Sequence, residues 1–141
     1  MNDIYGAIRF WLASQSAVSD LVGDRVYINR LPREVIEKQD TFHPKKMIVI
    51  QMAGGKGTSD FRDLDRPNIN VLCYGETDLE ADKVRRNVWT AFKNLTREWI
   101  NDVLIHHVNP ISGVIVSRDP DIKWPILTQS FSILAATEKA T

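Results

Sequence analysis

The sequence predicts a single α+β domain spanning residues 1–141, with an antiparallel sheet of about five strands. A long helix and an N-terminal helix are expected on one face of that sheet. Three observations carry this expectation. Val84, Val88, Ala91, Phe92, Leu95 and Trp99 recur at three- and four-residue steps, the signature of one amphipathic helix. Strand-like apolar runs lie on both sides of that stripe. The runs after it are joined by short turns, and short connections imply antiparallel pairing with helices gathered on one face.

Taken in order, Asp3 can cap a first helix whose Ile4, Ala7, Ile8, Trp11 and Leu12 fall at helical spacing, leaving Arg9 wet. Ser16 to Val22 reads as a second short helix stopped by Gly23, a residue at ease in the left-handed C′ conformation. Arg25 to Ile28 is a short strand candidate. Leu31 to Lys46, with Pro32 and Pro44, has no clear period and is long for a connection in a small domain. Met47 to Met52 alternates little, so both of its faces should be covered.

A polar loop is expected from Gly54 to Arg66. Pro67 then opens a strand in which Ile69, Val71 and Cys73 alternate with Asn68, Asn70 and Leu72. Thr77 and Glu80 stand as a capping box. The long helix is expected from Asp78 to Trp99, about 33 Å at the standard rise, with an Asp82–Arg86 pair on its surface. Val103–Val108, Gly113–Arg118 and Ile126–Ala136 read as strands, with turns at Asn109-Pro110 and Asp119-Pro120-Asp121.

Charge excludes several function classes. Eighteen Lys and Arg balance eighteen Asp and Glu, whereas nucleic-acid binders carry a basic excess. Segment 24–46 holds a small local surplus, in which Arg25, Arg30, Arg33, Lys38, Lys45 and Lys46 face Asp24, Glu34, Glu37 and Asp40. A solvated loop of mixed charge explains it better than a phosphate site. One cysteine, Cys73, cannot form an intramolecular disulfide or a cysteine-rich metal site. It reads as a small buried hydrophobe. Neither a secretory signal nor a membrane-spanning run is present in the sequence, so folding in a cytoplasm is expected.

Motifs that could carry chemistry fail on spacing. Gly54-Gly55-Lys56-Gly57-Thr58 lacks the residue after the lysine and the following helix that a phosphate-binding loop needs. Asp121-Ile122-Lys123 matches half of a metal-dependent nuclease signature without its upstream carboxylate. His106 and His107 are adjacent and should face opposite sides of a strand, and His43 lies far away in sequence. No serine stands in a nucleophile elbow. Catalytic, cofactor-binding and metal-ligating residues are therefore expected to be none, and cofactors none.

Assembly contacts remain as the candidate function of the conspicuous residues. In the loop, Gly54, Gly55, Lys56, Gly57, Arg62, Asp63 and Arg66 mix backbone freedom with charges of both signs. Trp11 and Trp99 lie on apolar stripes and are expected in the core. Trp89 sits about 100° from the stripe centre, which favours the core edge over an interface. Trp124, beside Pro125 in a turn-rich stretch, is the stronger contact candidate, because exposed aromatics mark interfaces.

The order of features resembles the tail-terminator or tail-completion proteins of long-tailed bacteriophages. The likeness rests on the N-terminal helix leading to Arg25-Val26-Tyr27 and on the strand from Pro67 through Ile69, Val71 and Cys73 to Tyr74-Gly75. It continues with Thr77 and the helix through Ala81, Val84, Val88 and Leu95, then Arg118-Asp119 with Asp121 and Trp124, and the strand at Phe131 and Ile133. The likeness covers about Ile4 to Ala136 and consists of ordered weak features rather than one diagnostic motif.

The resemblance implies a structural virion protein of the tail and neck, assembled in the host cytoplasm. It implies a self-associated ring, a hexamer, that caps the tail tube. The implied partners are further copies of the chain, the tail tube protein and the head-neck connector proteins. DNA would pass through the lumen without being read, and no membrane is involved. Two rivals remain open: another neck component, such as a head-closure or connector adaptor, and a small metal-dependent nuclease using Asp121. A ligand-binding module encoded by the host is a further reading.

Overall fold

Asp3 starts the fold by accepting the Gly6 N–H at 2.9 Å through its carboxylate, satisfying one donor that a helix start leaves unpaired. The structure, a computed structural model, describes residues 3–31, 46–56, 64–119 and 123–136, with backbone alone at 54–56 and 64–65. Helix α1 (Ile4–Ser14) buries Ile4, Ala7, Ile8 and Leu12. Helix α2 (Ser16–Val22) buries Val18 and Val22 and stops at Gly23, whose φ of 60° suits a residue without a Cβ.

The strands are β1 (Val26–Ile28), β2 (Met47–Lys56), β3 (Leu64–Tyr74), β4 (Glu98–Ile100), β5 (Val103–Pro110), β6 (Ile115–Arg118) and β7 (Pro125–Ala136). They form one seven-stranded sheet ordered β1-β2-β3-β7-β5-β4, with β6 also paired to β7. The sheet is mixed and larger than the antiparallel five-strand sheet expected, because β1 runs parallel to β2. A parallel pair needs a connection of about a dozen residues or more, which the chain between Ile28 and Met47 is long enough to provide.

Helix α3 (Asp78–Lys93) is shorter than the sequence stripe suggests. At 16 residues it spans about 24 Å, not the 33 Å expected. Past it, Asn101 (φ 47°) and Asp102 (φ 68°) take left-handed conformations, and Ile100 pairs with Val103. That is a two-residue hairpin turn in the form Asn and Asp tolerate. It recruits Glu98-Trp99-Ile100 into β4, so Trp99 leaves the helix and is 51% exposed rather than in the core.

The start of α3 is built as expected on one side. Thr77 Oγ1 accepts the Glu80 N–H at 3.2 Å. The Glu80 carboxylate instead reaches Lys46 Nζ at 2.8 Å, which holds it below the usual carboxylate range through a hydrogen bond and charge. Asp82 binds both Arg85 and Arg86, at 2.8 and 3.2 Å. Gly75 precedes this corner, and a Cβ there would stand 2.6 Å from the Ala81 backbone nitrogen. Only glycine lets β3 turn so tightly into α3.

The main core lies between the helices and one sheet face. Ile48, Ile50, Ile69, Val71, Cys73, Val103, Ile105, Phe131, Ile133 and Ala135 meet the apolar stripes of α1 and α3. Helix α1 touches β1 and β2 near one end of the strand order and β4 at the other, so the sheet curls around it. Phe131 centres an aromatic group, with Phe92 at 4.9 Å edge-on and Trp89 at 6.1 Å. The Trp11 indole donates to Ala91 O at 3.3 Å, and the Asn87 amide to Ala17 O at 2.9 Å, tying α3 to α1 and α2. A second cluster, Leu31, Met47, Val49, Tyr74, Trp124 and Ile126, sits on the opposite face.

Candidate assembly surfaces

The charged loop expected from Gly54 is in part strand. Gly54, Gly55 and Lys56 belong to β2, with Gly55 opposite Pro67 and Lys56 opposite Arg66. The ladder shifts register between Met52 and Gly55, a bulge of the kind glycines favour. Arg66 is exposed within β3, which begins at Leu64 rather than at Pro67. Gly57, Arg62 and Asp63 lie outside the described residues, as do His43, Asp121 and most of the Leu31–Lys46 connection.

Trp124 corrects an expectation. It is 1% exposed and stands edge-on to Tyr74, with ring centroids 6.4 Å apart. A turn-rich neighbourhood suggested exposure, but the hairpin between β6 and β7 folds the indole back over the outer sheet face. Trp89 lies at the core edge, with Lys93 Nζ 5.1 Å above its ring. Burial and the Asp119 carboxylate push the Tyr74 phenol up to about 12, while burial pushes the Cys73 thiol up to about 12. A thiol held protonated is a poor nucleophile.

The two histidines also differ from expectation. The β5–β7 ladder shifts register between Ile105 and His107. Ile105 and Val108 are both buried, His106 is half-buried and His107 is exposed. A bulge places two successive residues on the same side of a strand, so His106 and His107 both leave the core face. Among the described residues, no three His, Cys, Asp or Glu gather as a metal site, and no helix is long and apolar enough to cross a membrane.

The surface that stands out was legible as a strand but not as a site. Eight large hydrophobic side chains are exposed among the described residues, and four of them, Ile111, Val114, Ile115 and Val116, fall within six positions. Every residue of β6 is exposed. Strands β5 and β6 form one interrupted line along the same edge of β7, since β5 pairs with residues 131–136 and β6 with 125–128.

The interruption at 111–114 is a built feature. The Ile111 N–H donates to Ser130 O at 2.9 Å, and the Ser130 N–H to Ser112 Oγ at 3.0 Å. The Gln129 amide donates to Ser112 O at 3.4 Å. Gln129 in turn accepts from Arg85, which is itself paired with Asp82. A chain of polar contacts therefore runs from α3 through β7 to the exposed arm.

At the arm's far end, the Asp119 N–H donates to Trp124 O at 2.9 Å and the Lys123 N–H to Asp119 O at 2.8 Å. The Arg118 guanidinium donates to Lys123 O at 3.3 Å. The arm is thus fixed at both ends. Exposed apolar strand edges of this kind template pairing with another chain unless charge or proline blunts them, and 111–117 carries neither.

The chain matches no protein-family model and no curated protein. Among solved structures, it is similar to a chain described as "Virion of native gene transfer agent (GTA) particle". The two share 10% sequence identity, a TM-score of 0.67, and coverage of 94% of this chain and 93% of that one. At that identity the likeness is one of fold, and it extends over nearly the whole of both chains.

Proposed function

We propose that this chain is a structural, non-enzymatic subunit of a phage-type virion. More narrowly, it caps the tail tube as a hexameric ring and joins the tail to the head-neck connector. The observation that carries this reading is the end-to-end fold match to a virion chain. The fixed, apolar, uncovered arm at 111–118 adds to it, because assembly proteins keep such edges for their neighbours. On this reading the tail tube protein and the connector proteins lie on the two sides of the ring. DNA passes through the lumen, and a zero net charge suits a passage that must not grip phosphates.

The test is to offer the purified chain to tail tubes lacking their cap and to image them by negative-stain electron microscopy. The expected result is tubes of fixed length ending in a ring, able to accept heads. Rings that bind heads but never tubes would move the protein to the head-closure side of the neck. Binding to neither would overturn the reading.

A further inference from the structure

We infer that β6 is a self-complementary edge: two copies of the chain pair through it, antiparallel, about a two-fold axis that crosses the sheet at Val116. The inference concerns the chain in solution before it meets any partner, and it does not rest on the ring reading. It starts from the backbone groups that β6 leaves open. Hydrogen-bonded and non-bonded pairs alternate along an antiparallel ladder. The Ser130 N–H and carbonyl both bond the 111–112 segment, and the Asp119 N–H donates to Trp124 O. Ile115–Thr128 and Ser117–Ile126 are therefore the bonded pairs of this ladder. The backbone groups of Val114, Val116 and Arg118 point away from β7.

The two end strands of the sheet do not match this edge. In β1, bonds from the Ile48 N–H to Arg25 O and from the Asn29 N–H to Ile50 O turn the odd-numbered residues toward β2. Val26 and Ile28 face outward, but the Val26 N–H donates to Asp24 O, Val26 O accepts from Arg9 Nε at 2.7 Å, and Ile28 O accepts from the Arg30 N–H. The chain closes most of that edge itself. Strand β4 has three residues, and its turn pairs Ile100 with Val103, which leaves Trp99 alone facing outward. It also lies on the same side of β7 as β6 and runs the opposite way. An antiparallel join between β4 and β6 would turn one copy's helices over.

A second copy of β6 meets both conditions. Rotation about an axis perpendicular to the sheet sets the two β6 strands antiparallel and keeps the helices of both copies on one side. The contact is isologous, the usual form of a dimer. Centred on Val116, it places Val116 against Val116 and Val114 against Arg118 as bonded pairs, with Ile115 against Ser117 between them. The open groups of all three outward residues then find partners. The faces agree as well. Val116 lies opposite Leu127, which pairs with Cys73 of the main core, so it sits on the helix side; Ile115 and Ser117 sit on the outer side. A slip of one residue would exchange the faces, and a contact centred on Arg118 would set two like charges against each other.

The side chains favour the same join. Val114, Ile115 and Val116 are 39%, 59% and 61% exposed, so pairing covers apolar surface as well as backbone. The arm carrying β6 is already pinned by the Ser112 and Asp119 contacts. No segment has to be ordered on binding, which lowers the cost of association. The contact is short beside the roughly 20–30 residues a side of a standard interface, so a dissociation constant on the order of 10 μM is expected.

The test mixes two full-length variants, Ile115→Cys and Ser117→Cys, both at exposed positions, with buried Cys73 left in place. Across the axis these positions form a non-bonded pair with Cα atoms about 4.5 Å apart, within the span of a disulfide. Each position meets its own counterpart only on the diagonal, about 7–8 Å away, beyond that span. Mild oxidation of the mixture should give covalent dimers holding one chain of each variant, and nothing larger. Either variant alone should give none. In parallel, sedimentation of the wild type should show dimers. Val116→Lys should lower the association constant at least about tenfold, with an unchanged circular dichroism spectrum, since a charge on that edge opposes strand addition.

Covalent dimers formed as readily by either variant alone would overturn the register and the proposal with it. Covalent species larger than a dimer in the mixture would show an open-ended contact and overturn the two-fold axis. Wild-type protein that stays monomeric up to about 200 μM, or Val116→Lys that associates as the wild type does, would overturn the edge itself. None of these outcomes bears on the capping reading, which is decided separately by the tail-tube experiment.

Discussion

Strands β3 and β6 lie on opposite edges of the same strand, β7, yet they live in different solvents. Along β3, Ile69, Val71 and Cys73 are 1% exposed or less, and the residues between them are half-buried. Along β6 all four residues are exposed. Both are antiparallel to β7 and both are in register with it, so ladder hydrogen bonds do not make the difference. Cover does. Helix α3 lies over β3, β5 and the main part of β7, and β3 carries β2 on its other side. Backbone pairing fixes where a strand runs, whereas side-chain burial supplies most of its stability. A strand that is paired but uncovered has been placed rather than buried.

The comparison breaks most visibly at Phe131. It is 1% exposed, sits on β7 opposite Ile69 of β3, and holds the rings of Phe92 and Trp89. Phe131→Ala should cost about 3–5 kcal/mol, the usual range for removing a buried aromatic. Denaturant titration followed by circular dichroism checks it. A loss under about 1 kcal/mol would mean that the covered face is loosely packed and the contrast with β6 is overstated.

Tyr74 sharpens the comparison at the point where the two regions touch. It ends β3 and meets Trp124 and Asp119 at the base of the β6–β7 hairpin. Burial first, then the Asp119 charge and hydrogen bond, raise its pKa to about 12 from an ordinary 10.0. The folded chain therefore keeps the phenol protonated where the unfolded chain would release it. The sign follows: this contribution is complete below pH 10 and is lost as pH rises through about 12. Thermal melts of the wild type should fall between pH 10 and pH 12. Melts of Tyr74→Phe should start lower, for want of the bond to Asp119, and fall less over the same interval.

How much of this was legible depended on whether the signal was local. The Thr77 cap, the Asp82–Arg86 pair, the Gly23 stop and the alternation of Ile69, Val71 and Cys73 are set within a few residues, and each stands in the structure. The end of α3 was not legible from periodicity. Leu95 is buried after the helix has stopped, and Trp99 continues the spacing by coincidence. The turn chemistry of Asn101-Asp102 was the competing signal, and it won.

Parallel pairing of β1, the bulge that turns both histidines outward, and the burial of Trp124 depend on contacts between residues far apart in sequence. No window of the sequence contains them. The same limit hid the apolar surface, since Ile111 to Val116 reads as an ordinary strand until the structure shows its side chains exposed among the described residues.

Ile115→Ser is the substitution with the smallest expected effect on the fold and the one that best separates placement from burial. Ile115 lies opposite Thr128 and is 59% exposed, so trimming it should shift stability by no more than about 0.5 kcal/mol, the usual span for surface changes. If β6 were an ordinary buried strand caught in an open pose, the same change would cost about 1 kcal/mol or more, because it removes a branched apolar side chain. Denaturant midpoints for the wild type and the variant, taken at a concentration low enough to keep both chains apart, decide between the two. A near-zero difference means the isoleucine contributes little within its own copy. Its apolar surface is then available to an incoming strand.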